Sequence, residues 1–385
     1  MLDFKFYRGE GQRQDPSNQK EVPVISHKTL QSPQGYLASE GLAAAVDVAI
    51  RLGMPLLLTG EPGTGKSRLA YSLAWERNLG EPLRFVVKSD TQANDLFYHF
   101  DTVGRFHAAN MGKSAGQEID ARRFISFSAL GKAILYTHDT ENLKALGPAL
   151  GPLRLPDKPR QSVVLIDEID KAPRDVPNDL LTELENNEFE IAEIAHAVEA
   201  AVDGERSETT DHQDHQDHAR QAYRFKLNPE QKQLRPLVVI TSNSEKALPD
   251  AFLRRCVYYH VPFPDFDEDH SGQTKKVTVQ TIIASRLGRR YEGGGENLVR
   301  GALDFFRHLR KQEMTRTPGL SELLNWLDYL LPAEGLGAGS LSGLENMDSE
   351  QRLLSIKITL LKDQKDYESI EHHLETWRNQ YKEPQ

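Results

Sequence analysis

The spacing of apolar positions changes twice along this chain. Residues 1 to about 33 mix charge, Gln, Ser and Pro without periodicity, which predicts an extended or loosely packed arm with one short strand. From Tyr36 the pattern turns helical: Leu42, Val46 and Ile50 recur behind Ser39, a candidate cap, and Gly53 stands where that helix ends. Four short apolar runs follow at 55–59, 85–87, 163–166 and 237–241, separated by stretches long enough for crossover helices. Continuous apolar runs connected in this way predict an α/β fold with a parallel sheet covered on both faces. A fifth run, 257–261, comes after a short helical segment at 248–255, and Pro262 and Pro264 then mark a boundary.

Beyond Pro264 the period is that of helices. Leu298, Ala302, Phe305, Phe306 and Leu309 make one apolar face, and Leu320, Leu323, Leu324, Leu327 and Leu331 make a second. A helix at 353–361 and a polar one at 367–381 complete an all-helical C-terminal part, with the Gly-rich stretch 335–343 as a loop. The expected division is an arm at 1–33, an α/β domain at 34–263 and a helical domain at 264–385.

Composition narrows the function classes. The 385 residues suit two or three domains. With 47 Lys and Arg against 57 Asp and Glu the net charge is −10, which lacks the basic footprint of a dedicated nucleic-acid binder. No run reaches the roughly 18 uncharged apolar residues of a membrane span, and residues 1–16 are too polar for the apolar core of a signal peptide, so a cytoplasmic location is expected. The single cysteine, Cys256, excludes an internal disulfide and is expected to be a small buried hydrophobe. A polar insertion at 203–221 carries His212, His215 and His218 at three-residue spacing. If helical it would offer a metal one ligating face; with nothing apolar to order it, a solvated loop is the favoured reading.

The chemistry begins directly after the first predicted strand. Gly60, Glu61, Pro62, Gly63, Thr64, Gly65, Lys66 and Ser67 match G-x-x-x-x-G-K-[ST] between a strand and a helix. Glycines at those positions let backbone N–H groups turn inward around phosphates, and the following helix, which includes Arg68, points its positive end at them. Lys66 is expected to reach the β and γ phosphates of ATP and Ser67 to ligate Mg²⁺. The motif thus sets a phosphate-binding loop into the expected parallel α/β fold.

Further along, Asp167 and Glu168 end the buried run 163–166, where α/β sheets bind ligands. Asp167 is expected in the Mg²⁺ shell and Glu168 as the general base that polarises the attacking water. The alternative for both is a helix cap. The run 237–241 leads into Ser242 and Asn243, and Asn243 is a candidate to orient that water, although Ser-Asn before a helix is also an N-cap pattern.

Together these motifs resemble those of the AAA+ ATPases, and within them the MoxR branch. The resemblance spans about residues 34–331. Its specific part is Asp167-Glu168-Ile169-Asp170-Lys171-Ala172, then Asn178-Asp179-Leu180-Leu181 with Glu185 and Phe189, Asn243, and the run from Leu248 to Arg255. It implies a P-loop NTPase αβα core, a helical lid after it and a homo-oligomeric ring, usually a hexamer, with ATP between subunits. In such rings a neighbour's arginine completes the site; Arg255 is the better candidate by position and Arg254 the runner-up, with a surface salt bridge as the alternative for both.

Where MoxR-like chains often carry a lid arginine this one has Gly319, and Arg316 is a possible substitute. The resemblance also implies an inserted segment, matched by 89–135. Its aromatics Phe97, Tyr98, Phe100, Phe106, Phe124 and Phe127 are expected to be mostly core, with some facing a pore. Tyr36 and Leu37 are candidates to contact adenine.

The resulting expectation is an ATP-driven, chaperone-like remodelling machine whose partners include von Willebrand factor A domain proteins or other clients. The competing readings are a nucleic-acid motor or loader, which the acid balance disfavours, and a nucleotide-gated scaffold with little hydrolysis. A small-molecule kinase also uses a phosphate loop but gives no reason for Arg255 to follow Asn243.

Overall fold

A computed structural model describes residues 32–113, 121–139, 156–193, 224–266, 277–288, 296–331 and 349–381. Most of the expected arm, the His-rich insertion and the loop at 335–343 lie outside them. The chain divides into two compact units, one of residues 40–60 and 66–261, the other of residues 1–39, 61–65 and 262–385.

In the first unit the strands are β1 (Leu56–Thr59), β2 (Leu83–Val86), β3 (Tyr98–Phe100), β4 (Ile125–Phe127), β5 (Val163–Asp167), β6 (Glu188–Glu190), β7 (Arg224–Lys226), β8 (Leu237–Thr241) and β9 (Val257–His260). The five expected strands form one sheet in the order β2-β5-β8-β1-β9, and every pair in it is parallel. β5 is fully buried along its length, which is why its sequence is apolar without alternation. Two small antiparallel pairs, β3 with β4 and β6 with β7, were not legible in the sequence, because three residues are too few to show a period.

The helices of this unit are α1 (Glu40–Leu52), α2 (Lys66–Glu76), α3 (Thr102–Lys113), α4 (Ala129–Leu135), α5 (Val176–Asp179), α6 (Leu181–Asn186) and α7 (Asp250–Leu253). α1 buries Leu42, Ala45 and Ala49, a face turned slightly from the expected one, so Val46 and Ile50 are half-buried. Among the expected insertion aromatics, Phe97, Tyr98 and Phe127 are core and pack on Phe189, while Phe100 and Phe124 are half-buried. Phe106, on α3, is 66% exposed. Cys256 joins the same core, and burial pushes its thiol up to about 12, so it is no nucleophile at neutral pH.

The second unit is all-helical in its described C-terminal part: α8 (Val279–Leu287), α9 (Glu296–Arg310), α10 (Leu320–Leu330), α11 (Ser349–Thr359) and α12 (Gln364–Tyr381). Both expected apolar faces are buried except at Leu324, which is half-buried, and Phe305 meets Trp326 and Trp377 edge-on at 6.1 and 5.4 Å. No described helix is long and apolar enough to cross a membrane.

Asp366 in the first turn of α12 is buried and accepts hydrogen bonds from the backbone N–H groups of Thr315 (2.9 Å) and Arg316 (3.1 Å). Asp366→Ala strands both donors and is expected to destabilise this unit by about 1–3 kcal/mol. Chemical denaturation followed by Trp326 and Trp377 fluorescence checks this, and Asp366→Asn, which keeps one acceptor, is expected to lose less.

Candidate active site

The loop leaving β1 is built by its glycines. Gly60, Gly63 and Gly65 have φ of +139°, +81° and +87°, values that side chains strain against, and this turns the loop back before α2 begins at Lys66. Lys66 is buried, and its Nζ donates to the Gly60 carbonyl at 2.8 Å. The Thr64 hydroxyl donates to the Glu61 carbonyl at 2.9 Å. Arg68 lies over the Tyr71 ring at 5.4 Å, and burial lowers its pKa.

The strand order brings three neighbours to one carboxylate. Asp167 ends β5, with β2 on one side and β8 on the other. Its Oδ1 accepts from Ser67 Oγ at 2.6 Å and from Thr241 Oγ1 at 2.7 Å, and its Oδ2 accepts from Arg84 Nη2 at 2.6 Å. Burial pushes this carboxyl up, but the hydrogen bonds from Ser67, Thr241 and Arg84 together win and hold it below the ordinary carboxylate value. Asp167 is therefore an anion at neutral pH although only 4% exposed.

Glu168 adopts a left-handed backbone, φ 63° and ψ 49°, with its N–H on Thr241 Oγ1 at 3.0 Å. A non-glycine residue there is strained, and strain of this kind is retained at functional sites. Its carboxylate takes a 2.7 Å hydrogen bond from Lys171 Nζ. Asn243 follows β8, which pairs with β1 in register Leu58 to Thr241, so it stands at the tip of the strand beside the phosphate loop's own strand, as expected. Asp170, only 2% exposed, accepts from the N–H groups of Asn243 (3.2 Å) and Glu245 (3.0 Å) and so fastens that tip to the segment carrying Glu168.

Arg254 and Arg255 are exposed beyond α7. Arg255 Nε pairs with Glu185, and its Nη1 donates to the Ala251 carbonyl at 3.3 Å. Among the described residues neither arginine touches Asp167, Glu168 or Asn243, so the structure does not gather them with the rest of the candidate set.

In the second unit the loop residues 61–65 meet α9 and α10. Arg310 Nη2 donates to Glu61 Oε2 at 2.9 Å, its Nη1 donates to the Pro318 carbonyl at 2.6 Å, and its guanidinium lies 3.7 Å from the Phe263 ring centre. Gly319 has no room for a side chain: a Cβ there would come within 2.9 Å of the Pro62 carbonyl and 3.0 Å of Glu322 Oε2. A side chain at this position would have to displace the Pro62 carbonyl. Arg316 is exposed and engages Asp366 through its backbone only, whereas Arg310 reaches the loop itself. The Tyr36 ring edge lies 3.5 Å from where a Gly65 side chain would begin, and Leu37 is 39% exposed.

The sequence did not single out Arg84, Thr241, Asp170 or Arg310, because their partners lie on other elements. The one available signal was Asp170, which already stood inside the quoted acidic run.

Within the first unit the Lys66 ammonium, the Ser67 hydroxyl and the ionised Asp167 carboxylate are groups that fit a magnesium nucleotide. Residues 55–256 match the family model of the AAA domain, dynein-related subfamily. No curated protein matches the chain.

Proposed function

The chain belongs to the dynein-related subfamily of AAA domains, and from that premise we propose that it hydrolyses MgATP within a ring of its own copies and uses the cycle to remodel or assemble a partner protein. The observation that carries the hydrolytic reading is the 2.6 Å contact of Ser67 Oγ with Asp167 Oδ1, with Glu168 next in the chain and held in a strained backbone. Ser67 and Asp167 would hold Mg²⁺, and bound MgATP supplies an activated phosphoanhydride.

The protein's own groups do the rest. Lys66 brings a buried positive charge to the loop, and Glu168, once released by Lys171, takes a proton from water. Asn243 orients that water on a tip kept in place by Asp170. Arg255, donated to a neighbouring copy, would spread positive charge over the transferring group. Arg310 fills the part of lid arginine, since within the helical unit it donates to Glu61 of the phosphate loop. The Asp167 to Ala172 run with Asn178-Asp179-Leu180-Leu181 supports the MoxR branch, and with it a chaperone-like role beside a von Willebrand factor A domain protein or another client.

Light scattering of Glu168→Gln with and without MgATP tests the assembly. A nucleotide-dependent rise toward about six times 43.5 kDa is expected. A monomer in both states would overturn the ring and leave a nucleotide-gated scaffold.

A further inference from the structure

At the other end of the sheet from the nucleotide loop, the starts of β1 and β8 open onto a cleft of about 700 Å³. Its walls are the C-terminal ends of α1 and α2 and the segment 226–239. Acids outnumber bases 57 to 47 in this chain, yet among the described residues the lining holds Arg51, Arg77, Lys226, Lys232 and Arg235 and no carboxylate. Ile50, Leu52, Leu73 and Leu237 contribute the accessible apolar surface of the cleft.

Part of the cleft is rigidly built. Gly53 closes α1 with φ +64°, and a Cβ there would meet Arg235 Nη1 at 2.2 Å. The missing side chain lets Arg235 donate to the Gly53 carbonyl at 2.9 Å, while the Arg235 carbonyl accepts from Gln161 Nε2 at 2.7 Å. Arg51 pairs with Asp47, a turn earlier on α1, at 2.8 Å. Among the described residues, Arg77, Lys226 and Lys232 have no carboxylate partner.

The bland account covers only part of this. Arg51 and Arg77 follow the preference for cations at helix C-termini. Lys232 lies in the last turn of the short 3-10 helix Pro229–Leu234, but Lys226 ends β7 and belongs to no helix end.

We infer that this cleft binds an acidic peptide segment of a partner protein, one whose carboxylates alternate with apolar side chains. The arrangement selects against a compact polyphosphate. Two helix C-termini face the cleft, each worth about half a negative charge, and they would repel dense charge placed between them. Carboxylates spread along a chain can instead reach the separated bases, and the apolar residues between them cover the apolar surface of the cleft. The cleft lies wholly within the first unit and does not depend on the ATPase reading.

The test uses the full chain and a fluorescent peptide of alternating Glu and Leu, with a Lys and Leu peptide as control. Anisotropy should show saturable binding of the acidic peptide that weakens with salt and falls by about tenfold or more in Lys226→Glu/Lys232→Glu. Both lysines are exposed, so the fold is expected to persist. Binding of a fluorescent ATP analogue, measured in parallel, should be unchanged, which separates failure of this proposal from failure of the nucleotide site. Equal binding of both peptides, equal binding by wild type and variant, or no binding would overturn it. So would tripolyphosphate or a single-stranded oligonucleotide binding at the cleft where the acidic peptide does not.

Discussion

Glu168→Gln is expected to bind MgATP as tightly as the wild type and to hydrolyse it about 10²–10⁴-fold more slowly. The amide keeps the size of the carboxylate and can still accept from Lys171, whose Nζ lies 2.7 Å from Glu168 Oε2, so the surroundings need not move. Only the ability to take a proton is lost. Asp167 and its hydrogen bonds from Ser67, Thr241 and Arg84 are untouched, which is why binding should persist. Phosphate release and fluorescent-nucleotide titration read the two quantities separately. A variant that keeps more than about a tenth of the rate would remove Glu168 from the chemistry, because general-base catalysis is worth far more than that. Glu168→Gly separates chemistry from structure. Glycine adopts φ 63° without strain, so the fold should be no less stable while hydrolysis is lost just as completely.

The parts of this molecule that could be read from the sequence are those written in consecutive residues. β5 and the last three residues of β8 showed themselves as continuous apolar runs because both faces of the chain there are covered. The phosphate loop was legible because its function requires glycines, a lysine and a hydroxyl at fixed spacing. α8 was missed although Val279, Ile283 and Leu287 lie on one face, because Arg286 is buried beside them and breaks the apolar pattern. Burial of that guanidinium is explained by its 2.6 Å bond to the Ser32 carbonyl, a contact no local pattern announces.

The same logic governs the site. Arg84 meets Asp167 only because β2 lies beside β5, with Val86, two residues further on, in register with Asp167. Thr241 reaches the same carboxylate from the opposite neighbour, β8. Strand order is a property of the whole fold, and these partners could not be named before it was known. The lid arginine illustrates a different limit. Sequence position pointed to 316 and 319, but the loop carbonyl of Pro62 fills the space at Gly319, and the guanidinium that reaches the loop comes from the end of α9.

Arg255→Ala is expected to leave stability nearly unchanged and to lower hydrolysis by about 10³-fold or more. The two halves of that statement come from different facts. Within one copy Arg255 pairs with Glu185, but both side chains are about half exposed, and such a pair contributes about 0–1 kcal/mol. If the arginine did nothing else, rate and stability would both be insensitive to its removal. A large loss of rate with an intact fold would therefore place its action outside its own copy, since among the described residues it touches neither Asp167 nor Glu168. Mixing makes the location explicit. Arg255→Ala subunits, whose own Glu168 is intact, should regain activity beside Glu168→Gln subunits, whose Arg255 is intact, because each supplies what the other lacks. Mixtures no more active than the separate variants, at concentrations where light scattering shows assembly, would overturn the shared site and return Arg255 to a surface ion pair.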